Sequence, residues 1–192
     1  MTVTDQRAYW NRGVDAVPMT TGAASVMDCA DIRDVCAALG IALPFTGPVL
    51  DVGCGTGRLA QLCDPLLYEG VDIAPDAVAY CRQAEVCARL ITGPENLPGW
   101  FVADTVLCLS VFTHIDRWAR VAYLRAFAEM HPQHLLVDII PGDGSGTIAL
   151  WTANWDEFQQ DLRATGWEIA IGPIDRRSWD GPVHRYLWAE RV

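Results

Sequence analysis

The sequence contains no lysine, so arginine supplies all 14 of its basic residues. With 24 acidic residues, the net charge is −10. The acidic residues are scattered along the chain rather than gathered in a tail. A nucleic-acid groove needs a concentrated surface of basic side chains. The charge balance therefore argues against RNA or DNA as a partner.

Motifs for metal binding and for membrane insertion are also missing. None of the seven cysteines forms a C-x-x-C pair, the spacing that structural zinc sites and redox motifs use. No apolar run approaches the ~20 residues of a membrane span, and the amino terminus lacks the charged-then-apolar build of a signal peptide. We expect buried, reduced thiols, no metal site, no membrane partner, and a soluble cytoplasmic protein.

Segments with helical and strand periodicity alternate along a chain of 192 residues, the size of one ordinary domain. Such alternation favours an α/β fold, with a doubly wound, mostly parallel sheet covered on both faces. The last two strands have no helix between them, so we expect an antiparallel final pair. An N-terminal arm and cap helix (1–47) precedes the main domain (48–192). The predicted strands are a run ending at Val52, then 68–73, 88–92, 104–112, 134–140, 167–174 and 184–192.

A glycine-rich turn, "VLDVGCGTGRLA" (49–60), follows the first predicted strand. Missing side chains at such a turn let a ligand approach the backbone N–H groups of the following helix. Dinucleotide sites use G-x-G-x-x-G, whereas Gly53, Gly55 and Gly57 form G-x-G-x-G. The acidic Asp51 would sit poorly beside a pyrophosphate but would suit a cationic ligand.

This turn resembles the first motif of the class I S-adenosylmethionine-dependent methyltransferases, an acidic residue followed by G-x-G-x-G. "GVDIAPDAVAYC" (70–81) resembles the second motif of that family, and "SVFTHI" (110–115) resembles a segment that follows its fourth strand. The resemblance covers roughly residues 45–192. It implies a Rossmann-like fold, S-adenosylmethionine as the cofactor, and methyl transfer as the activity.

The resemblance also implies where the methyl donor binds. Asp51 would balance the donor's sulfonium and ammonium charges, and Asp72, 19 residues after Gly53, would accept the ribose hydroxyls. Asp72 alone does not separate this donor from NAD; Asp51 and the glycine spacing do. The implied donor contacts are Asp51, Gly53, Cys54, Gly55, Gly57, Asp72, Ile73, Glu95, Asn96 and Ser110.

The segment expected at the adenine ring departs from the family pattern. Many relatives carry G-D-A-x-x-L-P there, whereas this chain reads "TGPENLP" (92–98). Gly93 occupies the place of the acid, and Pro94 has no N–H to offer the ring. Glu95 or Asn96 would substitute, or would be ordinary turn residues.

Candidate catalytic groups should line the carboxyl ends of the strands, where methyl transfer needs alignment and, for a protonated nucleophile, a base. His114, after the fourth predicted strand, is the first candidate; a structural hydrogen bond to the backbone is its alternative. Asp138, within the fifth, is either a second candidate or a buried polar anchor. Tyr9, Trp10 and Trp151, in the arm and in a loop, are candidates for an apolar wall around the acceptor, or for lid packing.

The sequence therefore predicts a methyltransferase acting on an oxygen or nitrogen atom of a small molecule. A non-catalytic donor-binding module is the alternative from a different class. A nucleic-acid methyltransferase would often carry a tetrapeptide such as N-P-P-Y where this chain reads "SVFT", and a metal-dependent catechol-type enzyme would need clustered acids. Trp118, Trp155 and Trp167 have the spacing of core residues.

Overall fold

The computed structural model describes residues 29–147, 150–177 and 183–192, so the predicted contacts of Tyr9 and Trp10 lie outside the described residues. Four α-helices occur in these ranges: α1 (Cys29–Ala38), α2 (Pro75–Gln83), α3 (Arg117–Glu129) and α4 (Trp155–Ala164). Two 3-10 helices span Arg58–Leu62 and Pro94–Asn96. The strands are β1 (Val49–Val52), β2 (Tyr68–Asp72), β3 (Ala88–Leu90), β4 (Thr105–Cys108), β5 (His134–Pro141), β6 (Gly146–Thr147), β7 (Leu150–Ala153), β8 (Trp167–Arg177) and β9 (Val183–Arg191).

Five strands form the parallel centre of the sheet in the order β3-β2-β1-β4-β5. β9 pairs with β5 in the antiparallel sense and with β8 as an antiparallel hairpin. This confirms the mostly parallel, doubly wound sheet and its antiparallel final pair. Because β1, β2 and β4 are parallel neighbours, their carboxyl ends meet at one edge of the sheet.

The helices begin where the sequence places helix-starting residues. Pro75 occupies the first turn of α2, where its missing N–H costs nothing. The Asp116 side chain caps α3 by accepting the Ala119 N–H, and Asn154 caps α4 through the N–H groups of the next turn. These caps start α3 immediately after the loop that follows β4, and α4 immediately after β7.

The sheet separates two hydrophobic clusters. One lies between the sheet and α1 with the first 3-10 helix, and the other lies between the sheet, α3 and α4. Alternation along β1 sends Val49 to the first cluster and Leu50 to the second, as expected for a strand covered on both faces. No helix in the described ranges is long and apolar enough to cross a membrane.

Two sequence expectations about local structure were wrong. Trp151 lies in β7, which forms a short antiparallel ribbon with β6, rather than in a loop. Trp118 is 83% exposed rather than in the core. The buried face of α3 instead includes Arg120. Because this residue is charged, the apolar periodicity of the sequence does not indicate which face of α3 is buried. Trp167 is fully buried, as predicted, and Trp155 is half-buried.

Candidate functional site

The glycine turn leaves β1 through residues in the left-handed region of backbone space. Gly53 has φ 75° and Gly55 has φ 53°, a conformation that favours glycine. A Cβ on Gly53 would overlap the Cγ2 atom of Val111, whereas a Cβ on Gly55 would meet nothing within 4 Å. Gly53 therefore lets the turn pack closely against Val111, and Gly55 faces open space at the edge of the sheet.

Asp72 ends β2 and is hydrogen-bonded to this turn. One carboxylate oxygen accepts the Gly55 N–H at 2.8 Å, and the other accepts the Ala74 N–H at 2.8 Å. Burial raises the pKa of Asp72, and these backbone N–H groups partly offset that rise. Asp72 remains half-buried, so its carboxylate fixes the turn while part of it stays accessible.

Asp51, on β1, is only 2% exposed and accepts a hydrogen bond from the Tyr68 hydroxyl at 2.7 Å. Burial, reinforced by the nearby charge of Asp72, raises the pKa of Asp51 to about 7, although the Tyr68 bond and Arg58 act in the opposite direction. The site thus holds two neighbouring carboxyl groups beside an open glycine. A cation bound there would stabilise both ionised forms.

The loop after β4 forms the next wall of this edge. Ser110, the second residue of the loop, has φ 59°, an uncommon conformation for a residue other than glycine. The Ser110 N–H donates to Asp138 at 2.5 Å, and the Thr113 hydroxyl donates to the Ser110 carbonyl at 3.2 Å. His114 is half-buried on this loop, and its N–H donates to the Val111 carbonyl at 2.9 Å.

Asp138, on β5, is completely buried. One of its oxygens accepts the Ser110 N–H, and the other lies 2.6 Å from Nδ1 of His184. This arrangement supports the buried-anchor alternative for Asp138 over direct contact with a substrate. His184, at the start of β9 and 4% exposed, was missed by the sequence analysis, because nothing in the sequence pairs it with a residue 46 positions earlier.

The other predicted residues lie at different depths. Cys54 is buried behind the turn, where its thiol and that of Cys81 on α2 donate to the Gly55 carbonyl at 3.7 and 3.2 Å. Ile73 is half-buried after β2, and Glu95 and Asn96 are exposed on the second 3-10 helix. The turn, Asp72 and Ser110 all follow neighbouring parallel strands, so the fold brings them to one edge of the sheet.

Trp151 borders the same edge through β7. Its backbone N–H donates to the Thr113 carbonyl at 2.6 Å, and the guanidinium of buried Arg120 donates to the carbonyl of Thr152, the next residue. The first contact fixes β7 against the loop that carries His114, and the second fixes it against α3. Within the described part of the chain, the buried indole Nε1 of Trp151 has no hydrogen-bond partner.

Comparison with known proteins identifies relatives of this arrangement. Residues 49–132 match a family model described as a methyltransferase domain. Among solved structures, the chain is similar to magnesium protoporphyrin IX methyltransferase from Synechocystis PCC 6803 with bound S-adenosylhomocysteine, at 23% identity over 99% of both chains, with a TM-score of 0.74. A comparison with curated proteins finds no match.

Two further structures have the same fold. The 1,6-didemethyltoxoflavin-N1-methyltransferase of Burkholderia thailandensis is 17% identical, with 97% of this chain and 87% of that one covered and a TM-score of 0.70. Mitomycin 7-O-methyltransferase is 18% identical, with 100% and 61% covered and a TM-score of 0.68. These likenesses confirm the predicted fold, and the family model over residues 49–132 supports the resemblance that the glycine motif predicted.

Proposed function

We propose that this chain, which carries a methyltransferase domain with the class I fold, transfers the methyl group of S-adenosylmethionine to an oxygen or nitrogen atom of a small molecule. The observation that carries the proposal is the pair of carboxyl groups, Asp51 and Asp72, beside the open Gly55 turn. A donor with sulfonium and ammonium charges and a ribose diol matches two acids and a turn without side chains.

In the proposed donor site each group has one role. Asp72, already fixed by the Gly55 and Ala74 N–H groups, accepts the ribose hydroxyls. Asp51, held by Tyr68, offsets the positive charge of the donor. The open space over Gly55 admits the donor close to the backbone. When bound, S-adenosylmethionine supplies an electrophilic methyl carbon; the protein aligns the nucleophile with it.

On the acceptor side, the loop after β4 and the ribbon β6–β7 supply the polar groups. His114 is the proposed base or orienting group, since an imidazole titrates near neutral pH, where a hydroxyl or ammonium nucleophile must lose its proton. Trp151 supports the acceptor role through its buried indole Nε1, an unused donor among the described residues. Buried N–H groups are costly to leave unpaired, so an acceptor with an oxygen or nitrogen lone pair suits it.

Oxygen and nitrogen are the proposed target atoms for a chemical reason. His114 on this loop provides an imidazole, a side chain that serves as a general base where a hydroxyl or ammonium group must lose a proton. The similar structures include an N1-methyltransferase and a 7-O-methyltransferase, which is consistent with either atom in this fold.

The test has two stages. Calorimetry should show binding of S-adenosylmethionine and S-adenosylhomocysteine but not NAD; NAD binding without a response to either sulfur ligand would refute the proposed donor. Incubation of metabolite extracts with a methyl-labelled donor should then transfer label to a small molecule. Donor binding with no labelled product from any extract would favour a non-catalytic donor-binding module.

The role of His114 is tested once a labelled product identifies the acceptor. His114→Gln should lower turnover by about a hundredfold or more if His114 is the base. Donor affinity and melting temperature should remain close to those of the unmodified protein. Full activity in this variant would remove the base role, as expected for an acceptor that is already deprotonated.

A further inference from the structure

His184 and Asp138 form a buried polar pair between two strands of the sheet. Nδ1 of His184 lies 2.6 Å from an oxygen of Asp138, and the two side chains are 5% and 0% exposed. Both carboxylate oxygens are engaged, since the second accepts the Ser110 N–H. The pair thus links β9, β5 and Ser110, in the loop after β4, in one chain of hydrogen bonds.

That loop lies between the two halves of the proposed site. Its residue Val111 occupies the space into which a Cβ of Gly53 would project, so the loop packs directly on the glycine turn. Its residue Thr113 accepts the backbone N–H of Trp151 on the ribbon. A shift of the loop would therefore disturb the donor side through Gly53 and the acceptor side through Trp151.

We propose that His184 is a positioning residue, which holds the carboxylate of Asp138 so that Asp138 fixes Ser110 and the 110–115 loop against the glycine turn. Ser110 is in the left-handed region, where a residue with a side chain needs its surroundings to hold it. The 2.5 Å hydrogen bond from the Ser110 N–H to the buried carboxyl group of Asp138 supplies that restraint. This inference rests on the proposed function only for its effect on donor binding.

The alternative is that the pair merely stabilises the β5–β9 junction. That junction already has six paired residues from His134 to Ile139, all backbone-paired with β9 regardless of the His184 side chain. A role confined to the junction would lower the melting temperature without changing the loop selectively. A positioning role predicts faster hydrogen exchange at residues 109–115 when the imidazole is removed. An amide that keeps a nitrogen in the place of Nδ1 should reverse this change.

The experiment compares His184→Ala with His184→Asn, whose amide nitrogen stands where Nδ1 stands. Calorimetry with S-adenosylhomocysteine should show about a tenfold loss of affinity in His184→Ala and recovery to within about threefold in His184→Asn. Hydrogen exchange should rise about tenfold or more in a peptide covering 109–115 of His184→Ala, with the β1 peptide unchanged. Equal affinity and equal loop exchange in His184→Ala and the unmodified protein would overturn the proposal.

His134 gives a matched control. It lies on β5 at the opposite end of the same β5–β9 pairing, half-buried and stacked on Trp188 at 4.7 Å. His134→Ala should leave donor affinity and loop exchange unchanged; an equal effect in both alanine variants would reduce His184 to a structural role. If His184→Ala does not fold, His184→Gln replaces it, because its amide is one bond too far; equal affinity in the Gln and Asn variants then contradicts the proposal.

The two proposals fail in different ways. If the unmodified protein does not bind S-adenosylhomocysteine, the proposed function fails, while the exchange of the 109–115 peptide still decides the role of His184. If the unmodified protein binds it but neither affinity nor exchange responds to His184→Ala, only the positioning role fails.

Discussion

At the scale of single residues, Asp51 and Asp72 are neighbouring acids that the fold treats differently. Burial raises the pKa of Asp72, but two backbone N–H groups that donate to its carboxylate partly offset that rise. Asp51 accepts a hydrogen bond from the Tyr68 hydroxyl, which favours its charged form, but its deep burial outweighs this bond and raises its pKa to about 7. A bound cation would lower the pKa of both carboxyl groups and so favour both ionised forms.

The raised pKa of Asp51 makes stability depend on pH. Its pKa in the folded protein, about 7, exceeds the ordinary value of 3.8, so its contribution to stability is fully present below about pH 4 and is lost as the pH rises through about 7. Asp51→Asn removes this ionisation and retains an acceptor for Tyr68. Relative to Asp51→Asn, the ligand-free protein should lose up to about 1.4 kcal/mol per pH unit in this window.

Melting temperatures of both proteins from pH 4 to pH 8.5 measure this loss. Asp64→Asn is the control, because Asp64 is exposed, and its melting-temperature difference from the unmodified protein should stay flat. A flat difference for Asp51→Asn as well would show that Asp51 is not ionising in this range.

Asp72 provides a second prediction at this scale. Asp72→Asn removes the charge but keeps one oxygen for the turn, so the protein should fold and bind S-adenosylhomocysteine about 10- to 100-fold more weakly. Calorimetry measures the affinity, and thermal melting reports the fold. Asp76→Asn, an exposed acid in the first turn of α2, is the matched control and should bind normally. Unchanged affinity in a folded Asp72→Asn variant would exclude Asp72 from the donor site.

At the scale of elements, the glycine turn allows two effects of a substitution to be measured separately: strain in the backbone, and loss of the space in which the ligand is proposed to bind. Gly55 and Gly40 both have positive φ, at 53° and 68°, and a Cβ on either would meet nothing within 4 Å. Alanine at each position should therefore cost a similar, modest amount of stability, about 1 kcal/mol. Only Gly55→Ala places a methyl group in the proposed donor space, and it should weaken S-adenosylhomocysteine binding by about tenfold or more.

Thermal melting and calorimetry on the two variants give the comparison. Gly40, which follows α1, carries no proposed ligand contact, so Gly40→Ala should bind as the unmodified protein does. Equal affinity in both variants would mean that the donor does not approach the backbone at Gly55.

Elements differ in how well the sequence predicts them, for identifiable reasons. β1 and its turn were predictable because an apolar run ends in three closely spaced glycines. The ribbon β6–β7 was not, since strands of two and four residues are too short to show a period. The contact of His184 with Asp138 depends on the antiparallel register of β5 and β9, in which Asp138 is opposite Tyr186. Sequence periodicity contains no information about that register.

At the scale of the whole molecule, charge limits which acceptors approach the proposed site. The chain has a net charge of −10, and its arginines are in part committed to acids: Arg117 to Asp161, Arg89 to Glu69 and Arg185 to Asp175. Phosphate backbones bind through clustered, uncommitted cations. The proposed acceptor is accordingly a small molecule rather than a nucleic acid.

This argument predicts the outcome of a direct binding experiment. Fluorescence anisotropy with a labelled 20-nucleotide single-stranded RNA and a DNA duplex should show no binding with a dissociation constant tighter than about 100 µM at physiological salt, the weak end of non-specific binding. S-adenosylhomocysteine calorimetry on the same preparation verifies that the protein is folded and competent. Binding that tightens steeply as the salt is diluted would contradict this prediction, because it would show that a cationic surface of the protein contacts the phosphates. Because repulsion between the acidic surface and phosphates grows as screening weakens, we expect binding to stay absent at low salt as well.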